Sequence, residues 1–132
     1  MTLSTTTVKN SYSGNGSTTA FNYTFAINTT AELIVIERSA AGAETVKELG
    51  THYSIADAGS SGGTVTFSTA PASGVTVVLI RDTDLVQETD YVANDPFPAE
   101  THESTLDKLQ MQIQEVQEEV DRSMKISRTN TM

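Results

Sequence analysis

At Asp95-Pro96-Phe97-Pro98 the chain changes its hydrophobic period, and that change divides it into two differently built parts. Before this point, apolar residues alternate with polar ones or form short runs between turn residues. After it, from Ala99 to Met132, there is neither Gly nor Pro. A period of two belongs to a strand with one buried face, and a period near three and a half belongs to a helix with an apolar seam.

In the first part, Phe21, Tyr23, Phe25 and Ile27 alternate with Asn22, Thr24 and Ala26, which predicts a strand over these seven residues. Leu33 to Ile36 is a β-branched run short enough for a strand buried on both faces. Val46 to Leu49 and Tyr53 to Ile55 carry weaker strand patterns. Thr64 to Ser68 alternates, and Val75 to Ile80 is the strongest strand of the set. Turn residues separate them at Gly14-Asn15-Gly16-Ser17, Ala41-Gly42-Ala43, Gly59 to Gly63 and Ala70 to Gly74. Strands at roughly ten-residue spacing argue for an antiparallel β-sandwich. Nothing alternates strand with helix, which argues against a βαβ nucleotide-binding fold.

In the second part, Pro98 suits a helix start, with Glu100 and Glu103 near the positive N-terminal end. Leu106, Leu109, Ile113, Val116 and Val120 then fall at alternating steps of three and four. This is a heptad seam, with Leu106, Ile113 and Val120 at one core position and Leu109, Val116 and Ser123 at the other. A helix lying on the sandwich would show a similar but broader stripe, so the narrow seam favours self-association. Mixed Leu and β-branched core residues lean away from a strict dimer. Under three heptads make a marginal free-standing coil, so the helix needs support from the sandwich or from further chain.

Composition narrows the chemistry. Only 37% of the 132 residues are apolar, and there is no Trp and no Cys. No disulfide or thiolate site is possible. No stretch has the form of a signal peptide or the length of a membrane span, so the chain reads as soluble and made in the cytoplasm. Seventeen acidic residues face eight basic ones, a formal charge of −9. The excess is local: from Asp82 to Arg122 there are 12 acids against Lys108 and Arg122. A field of that sign repels nucleic acid and suits neutral or basic protein surfaces.

Catalytic and ligand motifs come close and fail. His102-Glu103-Ser104-Thr105-Leu106 begins like a zinc-protease helix but has Leu where the second His must stand. Gly14-Asn15-Gly16 precedes a strand, not a helix, and Asp82-Thr83-Asp84 lacks the glycine and distal Glu of a calcium loop. Acid pairs such as Asp82 with Glu88, or Glu100 with Glu103, have the chemistry of a glycosidase acid and base. Without Trp, a sugar-stacking cleft is hard to assemble. The reading is therefore a chain with no catalytic residue, no cofactor and no metal.

Several blocks, in order, resemble those of one known family. They are Tyr12-Ser13-Gly14-Asn15-Gly16-Ser17-Thr18-Thr19-Ala20-Phe21, Gly50-Thr51-His52-Tyr53-Ser54-Ile55, and Gly62-Gly63-Thr64-Val65-Thr66-Phe67 with Ala70-Pro71-Ala72-Ser73-Gly74. Gln87-Glu88-Thr89-Asp90-Tyr91 and the run from Phe97 to Asp107 follow. Covering roughly residues 8 to 125, these blocks resemble the opening signature, a later strand, the hairpin and the junction of the T7-like tail fibre N-terminal domain of short-tailed phages. His52 stands where the family often has Asp.

The resemblance implies a homotrimer that fixes a tail fibre or tailspike to the adaptor and nozzle proteins of the phage tail. It carries the expectation of a structural virion protein with no nucleic-acid or membrane partner. The expected organisation is a β-sandwich over 1–95, a helix over 96–126 forming a parallel trimeric coiled coil, and a polar tail over 127–132. Leu106, Leu109, Ile113, Val116 and Val120 are the expected trimerisation residues. Asp82, Asp84, Glu88, Asp90, Asp95, Glu100 and Glu103 are the expected virion-docking residues. The chain is either the N-terminal part of a longer fibre or a short anchor to which a separate tailspike attaches. The competing reading is a carbohydrate-binding, adhesin-type sandwich that meets the host surface directly.

Overall fold

The computed structural model describes residues 5–59, 62–94, 96 and 98–129. Seven strands precede one long helix: β1 (Lys9–Ser13), β2 (Ala20–Tyr23), β3 (Leu33–Arg38), β4 (Glu44–Val46), β5 (Tyr53–Gly59), β6 (Gly62–Phe67), β7 (Thr76–Arg81) and α1 (Ala99–Arg122). They form two antiparallel sheets, one ordered β1-β7-β3-β4 and one ordered β2-β6-β5. The mostly β, antiparallel class expected from the alternation is what forms.

Each sheet turns one face inward, as a period of two requires. Phe21 and Tyr23 on β2, Tyr53 on β5, and Val65 and Phe67 on β6 meet Leu33 and Val35 on β3 and Val77 and Leu79 on β7 in one core cluster. Phe21 and Phe67 meet edge to face with ring centroids 5.7 Å apart. Fully burying a side chain of this size stabilises by about 1.5–3 kcal/mol. Register keeps these residues on one face, with Val35 opposite Leu79 and Tyr53 opposite Phe67. Between the sheets, the Tyr12 hydroxyl donates to the Asn22 carbonyl, and Thr24 N–H donates to Asn10 Oδ1 at 2.9 Å.

Three expectations are corrected. The seven-residue strand from Phe21 to Ile27 is only four residues long, Ala20–Tyr23. Phe25, Ala26 and Ile27 are still buried, but as irregular chain. Alternation recorded their burial, not a ladder. Second, β3 is not buried on both faces: Leu33 and Val35 are buried, while Ile34 and Ile36 are half-covered. Third, β1 was not expected, because its sequence, Lys-Asn-Ser-Tyr-Ser, has one ring and no apolar run. It is an edge strand held by its pairing with β7.

The Gly62-Gly63 pair has a steric reason. Gly62 has φ 120°, and a Cβ there would run into the Tyr23 carbonyl. A Cβ on Gly63 would stand 2.5 Å from the Tyr23 hydroxyl. Only glycine lets β6 lie this close to β2.

Helix α1 is uninterrupted over 24 residues, as a run without Gly or Pro allows. Pro98 is its N-cap, with Glu100 in the first turn and Arg122 in the last, both favourable to the helix dipole. Ser123 is the C-cap, its hydroxyl donating to the Val120 carbonyl at 2.6 Å. The helix thus stops before Ser123, and the seam ends at Val120.

Candidate functional site

The site is built where β7 hands the chain to the helix. Along β7, Val77 and Leu79 point inward, and the same alternation puts Arg81 inward too. Arg81 is 2% exposed. A charge that deep needs partners, since leaving it unpaired costs several kcal/mol. Its guanidinium donates to the Ala26 carbonyl at 3.1 Å, the Met111 carbonyl at 3.4 Å and Gln114 Oε1 at 2.8 Å. Glu115 Oε2 lies 3.7 Å from Arg81 Nε. One side chain therefore ties the first sheet, the buried Phe25–Ile27 segment and the helix together.

The electrostatics follow from burial. Loss of water pulls Arg81 below its ordinary value, while Glu115 and Glu32 act to keep it charged. Guanidinium stays protonated under such shifts. Burial also pushes the Glu115 carboxyl up, opposed by the Thr83 N–H, which donates to Glu115 Oε1 at 2.5 Å, and by Arg81. Further along the helix, Lys9 Nζ meets Glu118 Oε1 at 2.9 Å, and Gln114 Nε2 donates to the Thr5 carbonyl at 2.9 Å.

These contacts define the face by which α1 lies on its own β-domain: Asp107, Met111, Gln114, Glu115 and Glu118. Met111 is fully buried and supplies the apolar centre of an otherwise polar contact. The expected seam is on a different face. Leu106, Leu109, Ile113, Val116 and Val120 are between 42% and 60% exposed in the single chain. The helix thus lies on its own β-domain by one face and leaves the residues of the expected seam exposed on another.

Residues 82–89 run beside the first half of the helix. Gln112 Nε2 donates to the Asp84 carbonyl and Lys108 Nζ to the Val86 carbonyl, both at 2.6 Å. The Thr89 and Thr105 hydroxyls are 2.8 Å apart. Between this segment, the Asn28–Glu32 turn and the helix lies an open groove of about 1230 Å³. Asp82, Asp84, Glu88 and Glu100 line it together with Glu32 and Lys108. Of the expected docking residues these four are brought together. Asp90 is exposed outside the groove, Glu103 is half-covered on the helix, and Asp95 lies outside the described residues. Among the described residues no His, Asp and Glu cluster could hold a metal ion, and no helix is long and apolar enough to cross a membrane.

Sequence reasoning missed Arg81, Gln114 and Glu115. The signal was present: Val77, Leu79 and Arg81 are in phase, so a charge stood at an inward position of the strongest strand.

No family model matches the chain. A tail spike protein of Salmonella phage epsilon15 is 39% identical to it over 117 residues, which is 88% of this chain and 11% of that protein. The chain thus spans about a tenth of the length of the curated relative it matches. By this sequence similarity, the chain belongs to a tailspike-type phage family.

Proposed function

We propose that this chain is a structural part of a phage virion, the anchor by which a tailspike or tail fibre is held on the tail. In this reading three copies associate through Leu106, Leu109, Ile113, Val116 and Val120 as a parallel coiled coil. The acidic junction docks on adaptor and nozzle proteins of the tail, and any receptor-binding region is carried beyond the stalk. The observation that carries the reading is the outward seam. A polar face of α1 rests on the β-domain, so an apolar stripe on the opposite side is left for another copy. The acidic groove beside it suits a basic protein surface.

The aromatic residues support an anchor over direct carbohydrate binding. Phe21, Tyr23, Phe25, Tyr53 and Phe67 are in the core, Tyr12 is half-covered, and Tyr91 is the exposed ring among the described residues. A sugar-stacking platform calls for more than one. The reading assigns no catalysis to this segment.

The first test is the absolute mass of the purified chain by light scattering. Three times 14.1 kDa supports the trimeric stalk, and a monomer at high concentration overturns it. The docking part is tested with spikeless tail particles. The wild-type chain is expected to bind them, and Asp84→Lys with Glu88→Lys to bind more weakly. Equal binding removes the groove from the docking surface, and binding to a glycan array instead favours the adhesin reading.

A further inference from the structure

We infer that residues 82–89 form a second contact between subunits, with Leu85 and Val86 seated against the helix of the neighbouring copy. The inference rests on the trimer proposed above. Its starting point is an inconsistency in burial. The segment's backbone is pinned, with the Asp84 and Val86 carbonyls each accepting a helix side chain at 2.6 Å. Yet Leu85 is 80% exposed and Val86 50% exposed. The helix takes hold of the segment's carbonyls and leaves its apolar side chains uncovered.

Heptad register says which flank of the helix the segment follows. With Leu106 and Ile113 at position a and Leu109 at d, Thr105 and Gln112 are g residues and Lys108 is a c residue. The segment therefore lies along the g flank. The f and b residues Asp107, Met111 and Gln114 are turned to the chain's own β-domain, so they offer no cover from that side. In a parallel coil the g flank of one helix faces the e flank of the next. Here that flank includes Gln110 and Gln117, both exposed. A contact from one copy's segment to the next copy's e flank runs head to tail and closes after three copies.

The seam itself calls for such help. Leu106 to Val120 is little more than two heptads, at the lower limit for an independent helix. Leu85 and Val86 line the same groove as the seam residue Leu109, so the segment's apolar side chains stand at the edge of the seam. A second copy is the occupant that both observations favour, because the patch borders the seam and lies on the flank a neighbour approaches.

Two variants of the full chain test this. Leu85→Ser with Val86→Ser is expected to raise the concentration at which trimers dissociate at least tenfold in sedimentation equilibrium, with an unchanged circular dichroism spectrum. Leu85→Cys with Gln110→Cys, in a chain that has no other cysteine, is expected to give covalent trimers on mild oxidation. If the wild-type chain is monomeric, the coil reading and this inference fall together. If it is trimeric, and the serine variant dissociates like wild type while the cysteine variant gives only monomeric products, this inference alone is overturned.

Discussion

The β-domain core and the helix dock are held by opposite chemistries. In the core, rings and aliphatic side chains from both sheets pack together, with no charged group among them. In the dock, Arg81, Gln114, Glu115, Lys9 and Glu118 do the joining, with Met111 as the one fully buried apolar side chain. The difference shows how an amphipathic helix can lie on a domain without spending its apolar face there. A polar dock fixes direction through hydrogen bonds, while the seam stays outside. An apolar dock would have consumed the stripe that the proposed trimer needs.

The comparison can be broken from the core side first. Phe25→Ala should cost about 3–5 kcal/mol, because Phe25 is fully buried and a cavity would remain. In a denaturant titration both the strands and the helix should be lost together. A midpoint unchanged from wild type would mean that the buried irregular segment contributes little.

Arg81→Ala attacks the dock. It should cost roughly 3 kcal/mol, since Glu115 keeps a half-buried charge with no cation beside it and the Ala26 carbonyl loses its donor. Hydrogen exchange should show the helix amides losing protection while those of β3 and β7 keep theirs. Uniform loss would show that Arg81 belongs energetically to the core. Arg81→Met with Glu115→Leu sharpens the point, because replacing both charges by apolar groups should come within about 1 kcal/mol of wild type or exceed it.

A smaller effect comes from pH. Hydrogen bonds from Arg122 and Lys9 hold the Glu118 carboxyl below its ordinary value, so its contribution is present above that value and lost as pH falls through the lowered one. Burial holds Glu115 above its ordinary value, so its contribution has the opposite sign: full at low pH and lost as pH rises through the raised value. Acid should therefore loosen the Glu118 end of the helix and leave the Glu115 turn in place, by under about 1 kcal/mol. Glu118→Gln should remove that acid-side loss of helix protection. If the variant keeps it, the Lys9 contact is not its source.

The smallest expected effect on folding is at the seam. Ile113→Asp changes an exposed position, so the stability of the single chain should move by less than about 0.5 kcal/mol. The same substitution should leave only monomers in light scattering. A persisting oligomer would place the association elsewhere, and a large loss of stability would mean that Ile113 packs on its own domain.

What could be read in advance followed from local chemistry. Val77 and Leu79, and Val65 and Phe67, face inward because strand geometry sends alternate side chains to opposite sides, whereas the run from Leu33 to Ile36 reads as buried on both faces and is not. The helix from Ala99 and the narrow stripe along it follow in the same way from a run without Gly or Pro. The end of β2 at Tyr23 did not, since burial of Phe25 and Ile27 in irregular chain has the same period as burial in a strand. Four of the acidic residues expected at the junction share one groove, whereas Asp90 is outside it, and that division depends on how residues 82–89 lie beside the helix.

The sequence by itself determined the two periods, the turns between strands and the charge of the junction, because each depends on neighbours a few residues apart. Tertiary structure alone decided that Arg81 would hold the helix and that the seam would face outward. Those outcomes depend on which groups 30 or more residues apart meet, as Arg81 meets Met111 and Gln114. A buried guanidinium needs several acceptors arranged in space, and only the folded chain brings a carbonyl, an amide and a carboxylate to it at once.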